Sequence, residues 1–149
     1  MVTLKDFQSI CLEKGLRATQ QRYEIYKILA GTTSHPGAEE VFKQAKAIQP
    51  MLSFDTVYRT LGVFVDKGII SQVEILAGKV RFDGNPYPHP HAICTECDKV
   101  VDCHHMTNPH PKDYSDVPGF ATVRSAHLEL RGVCQECAAR NTHRQAVAQ

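Results

Sequence analysis

Two CxxC pairs, Cys94-Thr-Glu-Cys97 and Cys134-Gln-Glu-Cys137, constrain this chain more than any other feature. Two residues between cysteines let one turn present both sulfurs to a single ion, and two such knuckles supply the four thiolates of a closed tetrahedral Zn2+ site. The competing reading is a thiol-disulfide redox pair, which needs only one CxxC and a helix N-terminus to lower its thiol pKa. No apolar run approaches the length of a membrane span. The start, Met1-Val-Thr-Leu-Lys-Asp-Phe, lacks the basic-then-apolar layout of a signal peptide. Both points predict a cytoplasmic protein, where paired cysteines serve as ligands rather than disulfides.

At 149 residues and 42% hydrophobic content the chain can bury one ordinary core or two small ones. Its net charge of +1 is uninformative, but its distribution is not. Residues 1–82 carry 11 Lys+Arg against 8 Asp+Glu, whereas residues 83–149 carry 6 against 8. Seven of the eight histidines and five of the six cysteines follow position 82. The step coincides with Asp83-Gly84-Asn85-Pro86, turn chemistry that predicts two domains, 1–82 and 83–149.

The first part reads as helices. Leu4, Phe7, Ile10 and Cys11 share a face that ends at Gly15. Thr19 caps a segment carrying Ile25, Ile28 and Leu29 that closes at Gly31. A third helix follows Pro36-Gly37 and stops before Pro50. A fourth starts at Ser53, with Leu52 and Val57 as a hydrophobic staple. Ile69 to Ile75 and Val80 to Phe82, either side of Ala77-Gly78-Lys79, predict a β-hairpin. Helices followed by a hairpin are the order of a winged helix-turn-helix, whose last helix enters the DNA major groove. On that helix Thr56, Tyr58, Arg59 and Thr60 offer a guanidinium for guanine, hydroxyls for phosphates and a ring for a thymine methyl. Arg17, Arg22, Lys79 and Arg81 could hold phosphates; the bland alternative is ordinary solvated charge.

The second part predicts short strands: His91 to Cys94 paired with Lys99 to Asp102, a β-rich stretch from Ala121 to Val133, and a helical tail after Cys137. Prolines between residues 104 and 119 limit any helix there to a short one. His89 and His91 alternate along an extended segment and so project to one side, with Asp83 and Asp102 within reach of short turns. Two imidazoles and two carboxylates suit Fe2+ or Mn2+ better than a thiolate set does, although Zn2+ also fits; singly, each histidine reads as a surface residue.

Thr56-Val-Tyr-Arg-Thr-Leu61, Arg81-Phe-Asp83, His89-Pro-His91-Ala-Ile-Cys94-x-x-Cys97, Val101-Asp102 and Gly132-Val-Cys134-x-x-Cys137, in this order and over nearly the whole chain, resemble the ferric uptake regulator superfamily. The resemblance implies an α+β protein, with a winged-helix DNA-binding domain followed by a small α/β dimerisation domain. It implies a homodimeric, metal-dependent repressor of operator double-stranded DNA, with no enzymatic activity, organic substrate or membrane partner. It assigns structural zinc to Cys94, Cys97, Cys134 and Cys137. It assigns a regulatory Fe2+ or Mn2+ to His35, Asp83, His89, His91 and Asp102, so that His35 and the later residues would bridge the domains. Asp83, where iron-sensing members commonly carry Glu, points to the peroxide-stress branch, in which peroxide oxidises a ligand histidine, here His35 or His89. Arg59 is more typical of iron regulators, and an iron-responsive or other metal-uptake repressor is the alternative. Pro88 and Pro90 stand where members with an additional metal site have acidic or histidine residues. Cys11 reads as core and Cys103 as a buried thiol.

Overall fold

Three of the four helices of the N-terminal part begin at a Ser or Thr whose hydroxyl accepts from an amide of the first turn. α1 (Leu4–Glu13) opens with a capping box, Thr3 Oγ1 accepting from the Asp6 amide and the Asp6 carboxylate from the Thr3 amide at 2.9 Å. Thr19 caps α2 (Gln20–Ala30), and Ser53 caps α4 (Phe54–Asp66). α3 (Ala38–Ile48) follows Gly37, whose amide donates to Glu40 at 2.8 Å. The four apolar stripes meet in one cluster in which Phe7, Ile25, Val41, Val57, Leu61 and Phe64 are fully buried. Cys11 belongs to it, and Phe7 stacks on Tyr26 with ring centroids 5.1 Å apart.

A hairpin of β1 (Ser71–Glu74) and β2 (Val80–Asp83) follows, antiparallel with Val73 opposite Arg81. The Phe82 amide donates to the Pro36 carbonyl at 3.0 Å, which ties the loop before α3 to β2. This computed structural model describes residues 2–75, 78–107, 111–114, 116–124 and 126–147. Ala77 of the expected hairpin turn, and Asn108 and His110 of the proline-rich stretch, lie outside them.

The chain forms two compact units, Met1–Tyr87 and Pro88–Gln149. Asp83 to Asn85 pack with the first: Ser71 Oγ donates to the Asn85 carbonyl at 2.9 Å, and the Asn85 amide to Asp83 at 2.8 Å. Gly84 lies so close to the end of α2 that a Cβ there would meet the Leu29 carbonyl oxygen at 2.6 Å.

In the second unit β3 (His91–Cys94) is the central strand, antiparallel to β4 (Val100–Asp102) and parallel to β5 (Glu129–Gly132). Among the described residues a single 3-10 turn, Pro111–Tyr114, is the unit's helical content before β5, and α5 (Gln135–Val147) follows β5. Among the described residues of 121–133, a stretch expected to be β-rich, Glu129–Gly132 pair with β3. Pro90, Ile93, Cys94, Val100, Cys103 and Cys137 are this unit's described buried apolar residues, and three of them are cysteines. None of the described helices is long and apolar enough to cross a membrane.

Gly84→Ala is expected to destabilise the first unit by about 1–3 kcal/mol, since the methyl group would have to displace α2 backbone. Gly62→Ala, exposed within α4 with open space at its Cβ position, is expected to stabilise it by about 0.5–1 kcal/mol. Thermal or urea unfolding of both variants measures the contrast.

Candidate metal centres

β3 ends at Cys94, and the turn after it returns the chain at once. The Cys94 amide donates to the Lys99 carbonyl at 2.9 Å, and Asp98 takes a left-handed φ of 59°. The second knuckle follows β5, and the Thr95 amide donates to the Gly132 carbonyl at 2.8 Å, fixing one knuckle against the other. Cys137 sits in the first turns of α5 and is 1% exposed.

The four Sγ atoms all lie within 4.8 Å of one another, Cys97 and Cys134 at 3.8 Å, and all six cysteines are free of disulfides. Zinc–sulfur bonds of ~2.3 Å at tetrahedral angles put neighbouring sulfurs ~3.8 Å apart, so the donor set fits Zn2+ without rearrangement. The four thiols form one set rather than two separate dithiols, which is the arrangement of a tetrathiolate site. Their acidities are driven apart. The Cys134 amide, 3.3 Å from Cys94 Sγ, with the amides of Glu96 and Cys97, pulls the Cys94 thiol down to about 6. Burial, reinforced by the neighbouring sulfurs, pushes Cys137 up to about 12, although Arg140 donates to its sulfur at 2.8 Å. Four sulfurs so close cannot all ionise unaided, which is the electrostatic demand a divalent cation meets.

The histidines and aspartates form a set in each unit. In the first unit His35 is 2% exposed and holds a left-handed φ of 50°. Its Nδ1 lies 3.0 Å from the Thr33 carbonyl oxygen, an acceptor, so in the neutral ring Nδ1 carries the proton and Nε2 the lone pair. Nε2 points to Asp83 Oδ2 at 3.8 Å. The Phe82-to-Pro36 bond brings the two together, since each ligand is the next residue along its strand or loop.

In the second unit His91 and Asp102 are directly opposed across β3 and β4, with Nε2 to Oδ1 at 3.5 Å. The Cys103 amide donates to the Pro90 carbonyl at 2.8 Å and extends that pairing past the strand, bringing His89 Nε2 to 3.0 Å from the same oxygen. The two rings lie 4.4 Å apart. With metal–ligand distances of ~2.1 Å, adjacent donors sit ~3.0–3.4 Å apart, so this N/O set fits a divalent ion. His104, which carried no signal beyond its place two residues after Asp102, lies 3.4 Å from Asp102 Oδ2 on the solvent side.

On α4, Tyr58 and Arg59 are exposed and Thr56 is half-buried beside Ser53, with the two hydroxyl oxygens 2.8 Å apart. Thr60 is turned inward, buried with Val57, Leu61 and Phe64 on the core face, which corrects the expectation that it contacts DNA. Arg17 is exposed, its carbonyl accepting from Arg22 at 2.7 Å, and Lys79 is exposed beside the hairpin turn. Arg81 is held to Glu40 of α3 at 2.7 Å.

This chain is 35% identical to the peroxide operon regulator of Bacillus subtilis (strain 168) over 94% of its own length and 97% of the relative's. It is 34% identical to the peroxide-responsive repressor PerR of Staphylococcus epidermidis, over 83% and 82%. Among solved structures, a zinc-bound manganese uptake regulator superposes with a TM-score of 0.62 at 30% identity, covering 89% of this chain and 99% of that one. Residues 13–131 match the ferric uptake regulator family profile, and with these relatives the match establishes that the chain belongs to the ferric uptake regulator family.

Proposed function

We propose that this protein is a cytoplasmic, homodimeric transcriptional repressor. A regulatory Fe2+ or Mn2+ would favour its binding to operator DNA, and peroxide would release it. The carrying observation is the pair of His/Asp sets, His35 with Asp83 in one unit and His89, His91 and Asp102 in the other. Neither set alone completes a coordination shell, so an ion that takes ligands from both binds one arrangement of the units better than any other. That difference in affinity sets how far the population moves to the DNA-competent arrangement. Cys94, Cys97, Cys134 and Cys137 hold Zn2+ as a structural element of the second unit.

Tyr58 and Arg59 supply base contacts, and Thr56, Arg17, Arg22 and Lys79 the backbone contacts. Affinity should then fall steeply with salt as phosphate counterions are released. Val101 and Leu130 remain exposed on the three-stranded sheet, and Val133 just after β5, apolar surface that a second copy would cover.

The peroxide response rests on the similarity to peroxide-responsive repressors. A bound Fe2+ would supply the redox chemistry that opens the peroxide O–O bond. His35 or His89 then gains one oxygen at a ring carbon while the other oxygen leaves as water, a two-electron oxidation of the ring matched by two-electron reduction of peroxide. An oxidised ring donates poorly and the set falls apart. The likeness to a manganese uptake regulator favours metal-uptake control as the second reading.

Mass spectrometry of protein loaded with Fe2+ or with Mn2+ and then treated with dilute peroxide separates the two. One added oxygen on a His35 or His89 peptide, in the iron sample only and in step with lost DNA binding, is the expected result. Loss of DNA binding with both histidines intact would sink the peroxide reading. For the structural site, Cys134→Ser should carry essentially no zinc in elemental analysis. It should also lose cooperative unfolding of the second unit, because structural zinc contributes on the order of 10 kcal/mol to folding. Retention of both metal and the transition would remove the structural role.

A further inference from the structure

The first two turns of α4 carry a pair of contacts that the reading above does not use. Asp55 Oδ2 lies 3.1 Å from the Arg59 guanidinium, one helical turn on, with both side chains exposed. One residue earlier the same spacing recurs: the Phe54 ring stacks on Tyr58 at 6.1 Å and meets Phe42 of α3 edge-on at 5.5 Å. Both exposed candidates for base contact are thus gripped by the residue four positions before them.

A carboxylate on a surface that meets DNA opposes binding, since it faces phosphates. It is not needed to start the helix, because Ser53 already accepts from the Thr56 amide. What Asp55 can do is restrict Arg59. An unrestrained guanidinium swings to the nearest phosphate, which adds affinity but no sequence information. A guanidinium with five donors can keep one edge on a carboxylate and turn the other to guanine O6 and N7.

We propose that Asp55 is a specificity-determining positioning residue: it holds the Arg59 guanidinium off the phosphates and aims it at one base, lowering affinity for DNA in general while sharpening the choice of sequence. The inference rests on the proposed DNA-binding role of α4.

The test uses the full chain, loaded with Zn2+ and Mn2+, equilibrated with random-sequence duplexes. Sequencing the bound and free pools gives base preferences position by position. Asp55→Asn should bind the unselected pool about two- to tenfold more tightly. It should also lose about fivefold or more of the preference at the base pair whose preference vanishes in Arg59→Ala. The double variant should match Arg59→Ala at that position, because the two side chains act as one unit. A uniform change in affinity with preferences intact would reduce Asp55 to a charge on a helix end and overturn the inference, as would no change at all. A wild-type protein with no preference at any position would overturn the DNA-binding reading and this inference with it, whereas preferences shared by wild type and Asp55→Asn would overturn the inference alone. Unchanged melting temperatures confirm that the variants compare the same fold.

Discussion

Four sulfur atoms gathered within 4.8 Å are the constraint on which the second unit rests. The backbone is arranged as though the charge were already present: an amide donates to Cys94, and a guanidinium to Cys137. Yet burial holds the Cys137 thiol back from ionising. The unit cannot compensate with apolar packing, because its described buried apolar residues are few and half of them are cysteines. A cation that neutralises the cluster therefore replaces the hydrophobic core that a polypeptide of this length lacks.

The first unit is built on the opposite principle. Three of its four helices open on Ser or Thr caps, and all four contribute to a buried cluster of aromatic and branched residues that supplies an apolar core. The proposed regulatory ligands of this unit exploit that rigidity. His35 holds a left-handed backbone conformation in a loop hydrogen-bonded to β2, and the Thr33 carbonyl orients its ring. Such a ligand is aimed before any ion arrives, and less conformational entropy is lost on binding.

Much of this was legible in the sequence where the signal is local. Thr19 and Ser53 announce their helices, the alternation around Ala77-Gly78-Lys79 announces the hairpin, and the CxxC spacing announces the sulfur cluster. What depends on distant partners was not. Nothing in the periodicity around His35 marks it as a ligand, because its neighbour Asp83 is brought there by one backbone bond between a loop and a strand. The β-rich composition from Ala121 to Val133 does not say where pairing begins; the register with β3 sets that at Glu129. Thr60 was misread as exposed although its spacing from Val57 and Phe64 puts it on the core face, where its hydroxyl disguised it.

β3 carries a residue of the proposed sensing set at its first position, His91, and a residue of the sulfur cluster at its last, Cys94. Its register is pinned on both sides, by β4 and by β5. Strand residues alternate faces, so inserting or deleting one residue would reverse every side chain beyond it. Between the two, Ala92 and Ile93 could be exchanged for other strand residues, but not added to or removed, so the spacing from His91 to Cys94 is set by length rather than by composition.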